Sequence, residues 1–180
     1  MTTPPENPTP DESPSSDQRP LTMLIAYDGS PQARRAMEYA ARLLRPRHVE
    51  ILTAWEPLHR TAARASSMSG MHQADWVAGA EADDPAYSRA RDTCRAGVEL
   101  AESMGLQARA HMVESATAIW SAIVDAAQEL RPDVIVTGTK AVTGIRSLWQ
   151  TSTADNVVHN AGIPVFIVPP EIEEDRGTEA

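Results

Sequence analysis

The residues best suited to chemistry cluster in one loop. It runs Gly138-Thr-Lys-Ala-Val-Thr-Gly-Ile-Arg-Ser-Leu-Trp-Gln-Thr-Ser-Thr153. Thr151, Ser152 and Thr153 offer hydroxyls, and Lys140 and Arg146 offer positive charge. The loop leaves an apolar run, Asp133–Thr137, and ends where a helical pattern begins. Free backbone N–H groups, a helix N-terminus and small side chains together suit a phosphate. The spacing is neither GxxxxGK[ST] nor GxGxxG, and an ordinary connection ending in a capping Ser fits the same letters. A second candidate is Asp28, in Tyr27-Asp-Gly-Ser-Pro31, which can contact a ligand or cap its own turn.

Other reactive residues are less organised. His48, His59, His72, His111 and His159 are scattered, and no pair has metal-ligand spacing on one element, so no metal site is expected. Cys94 falls on an apolar helical stripe and reads as a core residue. Ser30 precedes Pro31 and belongs to no GxSxG elbow, which argues against a serine hydrolase. No catalytic residue is assigned.

The elements that would position these residues alternate in type. Leu21–Tyr27 reads as a strand; Ser30 as N-cap and Pro31 at the first helical position start a helix. Its stripe is Ala33, Ala36, Met37, Ala40 and Leu44, and Arg45-Pro46 ends it. Val49–Trp55 is the next strand. Residues 56–84 form an irregular insert, in which Met68, Met71 and Trp76 are candidates for a partner surface, a lid or plain packing. A helix is expected over Pro85–Met104 with Ala90, Cys94, Val98 and Ala101 inward, then Gly105 as its cap and a strand over Gln107–Val113. Ala116–Leu130 reads as a helix with Ile119, Ile123, Ala126, Ala127 and Leu130 inward. Asp133–Thr137 is a buried strand, Ser152–Ala161 a helix capped by Gly162, and Pro164–Val168 the last strand. Continuous apolar strands between amphipathic helices predict an α/β domain, a mostly parallel sheet covered on both faces. Ligands of such sheets sit beyond the carboxyl ends of the strands, where the winding reverses. With the first strand central, Ala26–Ser30 and Gly138–Ser152 meet there.

Composition bounds the rest. The 180 residues hold 16 Lys+Arg and 25 Asp+Glu, a formal net charge of −9, with one Cys. One Cys excludes a disulfide scaffold and a paired CxxC zinc module. No apolar run approaches the ~20 residues of a membrane span, and the N-terminus lacks a signal-peptide layout, so the cytoplasm is the expected location and no membrane partner is expected. Residues 1–20 carry four acids, Arg19 and six prolines, for a net charge of −3. Residues 171–180 carry five acids and Arg176, for −4, which leaves −2 for residues 21–170. Both tails read as disordered. The charge makes a generic nucleic-acid binder unlooked-for.

The segments Leu24-Ile-Ala-Tyr-Asp-Gly-Ser30, Asp133-Val-Ile-Val-Thr-Gly-Thr139 and Ile163-Pro-Val-Phe-Ile-Val-Pro169 together resemble the universal stress protein family, over residues 21–170. The resemblance implies a three-layer α/β/α sandwich, Rossmann-like and of the adenine nucleotide alpha hydrolase-like kind, with strand order 3-2-1-4-5. It implies a homodimeric stress-response protein acting through partners. Some members bind ATP and share Gly, two residues, Gly, nine residues, then Gly followed by Ser or Thr. Gly138 and Ser152 match this pattern; Ala141 and Thr151 replace its second and third glycines. A β-branched Thr151 would be costly at positive φ. The resemblance places Ala26, Asp28, Trp55, Gly138, Ala141, Thr151 and Ser152 at the nucleotide site, with Trp55 stacking on a base or filling the pocket itself, and the charge of Lys140 and the hydroxyl of Thr153 add these two loop residues to it. The alternatives are an adaptor that binds no nucleotide and a slow ATPase or phosphotransferase. A dimer would form through the last strand, Val165, Phe166, Ile167 and Val168, whose apolar edge calls for a cover.

Overall fold

A computed structural model describes residues 21–61, 84–139 and 152–171. The elements are β1 (Thr22–Ala26), α1 (Pro31–Leu44), β2 (His48–Trp55), α2 (Pro85–Ser103), β3 (Gln107–Glu114), α3 (Ile119–Leu130), β4 (Val134–Gly138), α4 (Thr153–Asn160) and β5 (Val165–Val168). The five strands form one sheet in the order β3-β2-β1-β4-β5. Every pairing is parallel. The chain winds outward from β1 through β2 to β3, then crosses back to β4 and β5. The winding therefore reverses between β1 and β4.

Side chains alternate across each strand and split the core into two layers. Met23, Ile25, Val49, Ile51, Val134 and Val136 point to one face, under Ala33, Ala36, Met37 and Ala40 of α1 and Cys94 and Ala101 of α2. Leu24, Leu52 and Ile135 point to the other, under Ile123, Val124, Ala126 and Ala127 of α3 and Val157 of α4. These strand residues are almost wholly buried on both faces, as in a sheet sandwiched between helices.

Local chemistry sets the helix ends. Ser30 Oγ accepts from Ala33 N at 3.2 Å and starts α1. Arg45 and Arg131 close α1 and α3 in the left-handed region, at φ 47° and 49°. Each precedes a proline, which disfavours a further helical residue before it. Gly105 and Gly162 supply positive φ after α2 and α4.

Two details differ from the sequence pattern. The helix expected from Ala116 starts at Ile119. The buried Ser115 extends the ladder, its N–H donating to Trp55 O at 2.7 Å, so the chain turns later. Ile119, expected inward, is 38% exposed at the new helix start. On α2 the fully buried stripe runs Ala90, Cys94, Gly97, Ala101; Val98 packs against the same core, partly buried, and Gly97 joins the stripe unexpectedly. A methyl at Gly97 would lie 2.7 Å from Tyr27 Cδ1 and 2.8 Å from Ile51 Cγ2, so glycine lets α2 settle onto the sheet. Residues 1–20, 62–83 and 172–180, which hold the expected tails except Glu171 and most of the insert with Met68, Met71 and Trp76, lie outside the described residues.

Candidate functional site

A cleft of about 320 Å³ opens at the carboxyl ends of β1 and β4, at the point where the winding reverses. Ala26, Tyr27 and Asp28 line it from β1, and Thr137, Gly138 and Thr139 from β4. Ser30, Gln32 and Ala33 enter from the start of α1, and Ser152, Thr153 and Ala154 from the start of α4. Leu52 and Ala54 of β2 and Ile119 and Ile123 of α3 complete an apolar side.

The first turn of this wall is tied down from β2. Thr53 Oγ1 donates to Tyr27 O at 2.9 Å, and Tyr27 N donates to Leu52 O at 2.8 Å. Gly29 then takes φ 77°, and Ser30 N donates to Asp28 Oδ1 at 2.9 Å. Asp28 thus closes its own turn while lining the cleft. On the β4 side Thr139 N donates to Val168 O at 3.1 Å, which ties Thr139 to β5.

Two helix N-termini, those of α1 and α4, face the same space. Each brings the positive end of a helix dipole to the cleft, which favours an anion, although Ala33 N at α1 and Asp155 N at α4 are already bonded to their capping serines. At α4 the end carries a capping box. Ser152 Oγ accepts from Asp155 N at 3.1 Å, while Ser152 N and Oγ both donate to Asp155 Oδ2, at 3.0 and 2.8 Å. These bonds from Ser152, the side-chain one foremost, hold the Asp155 carboxyl below its ordinary pKa. The Ser152 hydroxyl is therefore oriented by its own helix.

Of the expected site residues, the structure brings together Ala26, Asp28, Gly138, Ser152 and Thr153. Lys140, Ala141 and Thr151 lie outside the described residues. Trp55 is placed elsewhere. It is 5% exposed and packs edge-on against Tyr87 of α2, with ring centroids 5.4 Å apart and planes at 74°. The period of two on β2 is the reason: Leu52 and Ala54 share one face, and Trp55 takes the other. That alternation was present in the sequence and could have pointed to Ala54. Ile119 carried a fainter signal, an apolar residue just after a strand's carboxyl end.

The remaining candidates take structural roles. Cys94 is buried, with Sγ 3.4 Å from Ile51 O. His111 Nε2 lies 2.8 Å from Oε2 of Glu50, a carboxylate that is itself buried on β2. Neither residue lines the cleft. Among the described residues no group of three His, Cys, Asp or Glu side chains could hold a metal ion.

These features coincide with a known family. A model of the universal stress protein family matches residues 21–169. This chain belongs to the universal stress protein family. It is similar to Universal stress protein MJ0531 of Methanocaldococcus jannaschii, at 34% identity over 70 residues. That match spans 39% of this chain and 40% of that protein's length. Among solved structures the fold resembles a universal stress protein in complex with cAMP, at 22% identity and TM-score 0.58, covering 83% of this chain and 97% of that one. It also resembles the universal stress protein from Archaeoglobus fulgidus in complex with dAMP, at 20% identity and TM-score 0.52, covering 82% and 95%. No helix among the described residues is long and apolar enough to cross a membrane.

Proposed function

We propose that this universal stress protein binds an adenine nucleotide in the cleft between β1 and β4 and acts through partner proteins rather than by catalysis. The observation that carries this reading is the cleft itself. Two helix N-termini converge over a wall of small apolar side chains, Ala26 and Ala54, which leave room beside Leu52, Ile119 and Ile123 for a flat ring. Its volume is at the lower end of ligand pockets, which span roughly 300–1,000 Å³. The hydroxyls of Ser30, Thr137, Thr139, Ser152 and Thr153 ring the polar end. The cAMP and dAMP bound by solved relatives support an adenine nucleotide as the ligand class, with ATP as one member.

Titration calorimetry and thermal shift with AMP, cAMP and ATP-Mg test it, together with mass spectrometry of the supernatant of freshly denatured protein. Binding at micromolar to millimolar concentration is expected. No heat and no thermal shift with any of the three at millimolar concentration would overturn the reading in favour of an adaptor that binds no nucleotide. Phosphate release abolished by Asp28→Ala would instead favour a slow ATPase or phosphotransferase. If Ala141 and Thr151 weaken the site, restoring both glycines raises the affinity.

The proposal includes a cytoplasmic homodimer. Support comes from β5, which pairs with β4 alone at the sheet edge and leaves Ile167 37% exposed. Pairing through Val165, Phe166, Ile167 and Val168 would cover that edge. A monomeric mass by light scattering across micromolar concentrations would refute it.

A further inference from the structure

Residues 31–48 concentrate positive charge on a nearly neutral domain: Arg34, Arg35, Arg42, Arg45 and Arg47 stand against one acid, Glu38. Three α1 residues, Arg35, Tyr39 and Arg42, recur at helical spacing and share one outer face. The Arg35 guanidinium sits 4.9 Å from the centroid of the Tyr39 ring, and that of Arg42 4.7 Å. Arg35 Nη2 also donates to Tyr39 Oη at 3.4 Å. An aromatic ring between two guanidiniums spreads them on a fixed platform. Their N–H forks then suit carboxylates, which arginine binds in a planar, two-pronged way. One carboxylate is already there: Glu171, just past Pro169-Pro170, lies 3.8 Å from Arg35 Nη1. Among the described residues no carboxylate pairs with Arg42.

We propose that the Arg35–Tyr39–Arg42 face of α1 is a docking surface for an acidic peptide segment, and that its occupant is this chain's own run Glu173-Glu-Asp175. The reach fits. Seven helical residues from Arg35 to Arg42 span about 10 Å. An extended chain covers that in about three residues, which brings Glu174 level with Arg42 when Glu171 is at Arg35. Charge complements charge, since residues 171–180 carry −4. The covalent link sets an effective concentration near the millimolar range, against which a free acidic peptide must compete. The inference is independent of nucleotide binding.

The test uses the full chain, labelled with ¹⁵N, beside a variant carrying Glu173→Gln, Glu174→Gln and Asp175→Asn. The substituted residues lie outside every helix and strand described, so the domain's fold is not at stake. Expected are shifts of the Arg35 and Arg42 Nε–H signals and of the α1 backbone amides around Tyr39, confined to that face. The wild type should show the same shifts on going from low salt to about 1 M, where the screening length falls to about 3 Å. The variant should not respond to salt at those signals. Unchanged α1 signals in the variant would overturn the proposal. So would wild-type shifts that fade on dilution, because the occupant would then be a second copy's segment.

Discussion

A methyl group added to Gly138 would stand 2.4 Å from the backbone carbonyl oxygen of Gln32 and 2.6 Å from its carbon. The end of β4 and the first turn of α1 therefore meet backbone to backbone, with no space for a side chain. Gly138 does not adopt positive φ. The first glycine of the family's loop pattern serves here as a spacer, and the partner in its close approach is the protein itself. Both residues line the cleft, so their contact sets its width.

Gly138→Ala should accordingly lower stability, because the obstructing atoms are backbone and can yield only if α1 moves. The expected loss is about 1–3 kcal/mol, as for overpacking elsewhere in a close-packed core. It would appear as a lower midpoint in urea, with weaker nucleotide binding as the cleft widens. An unchanged midpoint would show that α1 yields freely and that the contact does not fix the site.

Much of this was legible from residues alone. The alternation of apolar strands and amphipathic helices is dense enough to specify a covered parallel sheet. Ser30-Pro31 and Arg45-Pro46 mark both ends of α1 where they fall. Other placements are less legible. The start of α3 depends on Ser115 bonding to Trp55 O, a contact between residues 60 positions apart that no local pattern records. The face taken by Trp55 follows from the alternation on β2, which sets Ala54 beside Leu52 on the cleft side. Gly97 leaves no mark in an apolar stripe because it has no side chain, yet that missing side chain is what lets α2 approach Tyr27 and Ile51.

The placement of β2 side chains can be tested directly. Ala54→Leu adds bulk on the cleft side and should weaken adenine-nucleotide binding at least about tenfold, equivalent to about 1.4 kcal/mol. Trp55→Phe keeps an aromatic ring against Tyr87 on the opposite face and should leave affinity within about twofold, a few tenths of a kcal/mol. Calorimetry on the two variants decides between the faces. The reverse pattern would return Trp55 to the site.

Acid should loosen the cap of α4. Asp155 has its pKa lowered from 3.8 by the Ser152 bonds, so the folded state favours the ionised form. A depressed folded pKa contributes stability that is present above the unfolded value and is lost as pH falls through the folded one. Asp155 at N3 also complements the helix dipole only while ionised. Asp155→Asn should therefore be less stable than wild type near neutrality, and the gap should close as the pH falls below 3.8 and through the lowered folded-state value. Urea midpoints of both proteins across that range give the measurement; a gap that persists undiminished in acid contradicts the assignment.

One carboxylate joins the two sides of the segment between β2 and α2. Asp84 Oδ2 accepts from Leu58 N at 2.9 Å, and Oδ1 accepts from Ala86 N at 2.7 Å, where it caps α2. Nearby, Arg60 Nη1 donates to Ser115 O at 3.0 Å and Nη2 pairs with Glu114 at 3.0 Å, fixing the same turn to the end of β3. Asp84→Ala removes both acceptors and should cost about 1–2 kcal/mol through the cap alone. Asp84→Asn is more discriminating. Asparagine remains a good N-cap through its single carbonyl oxygen. Its amide group cannot accept from Leu58. Hydrogen exchange should then speed up at the Leu58 amide while Ala86 stays protected. Equal protection at both amides in the Asn variant would mean that Leu58 is held by Arg60 and its partners rather than by Asp84.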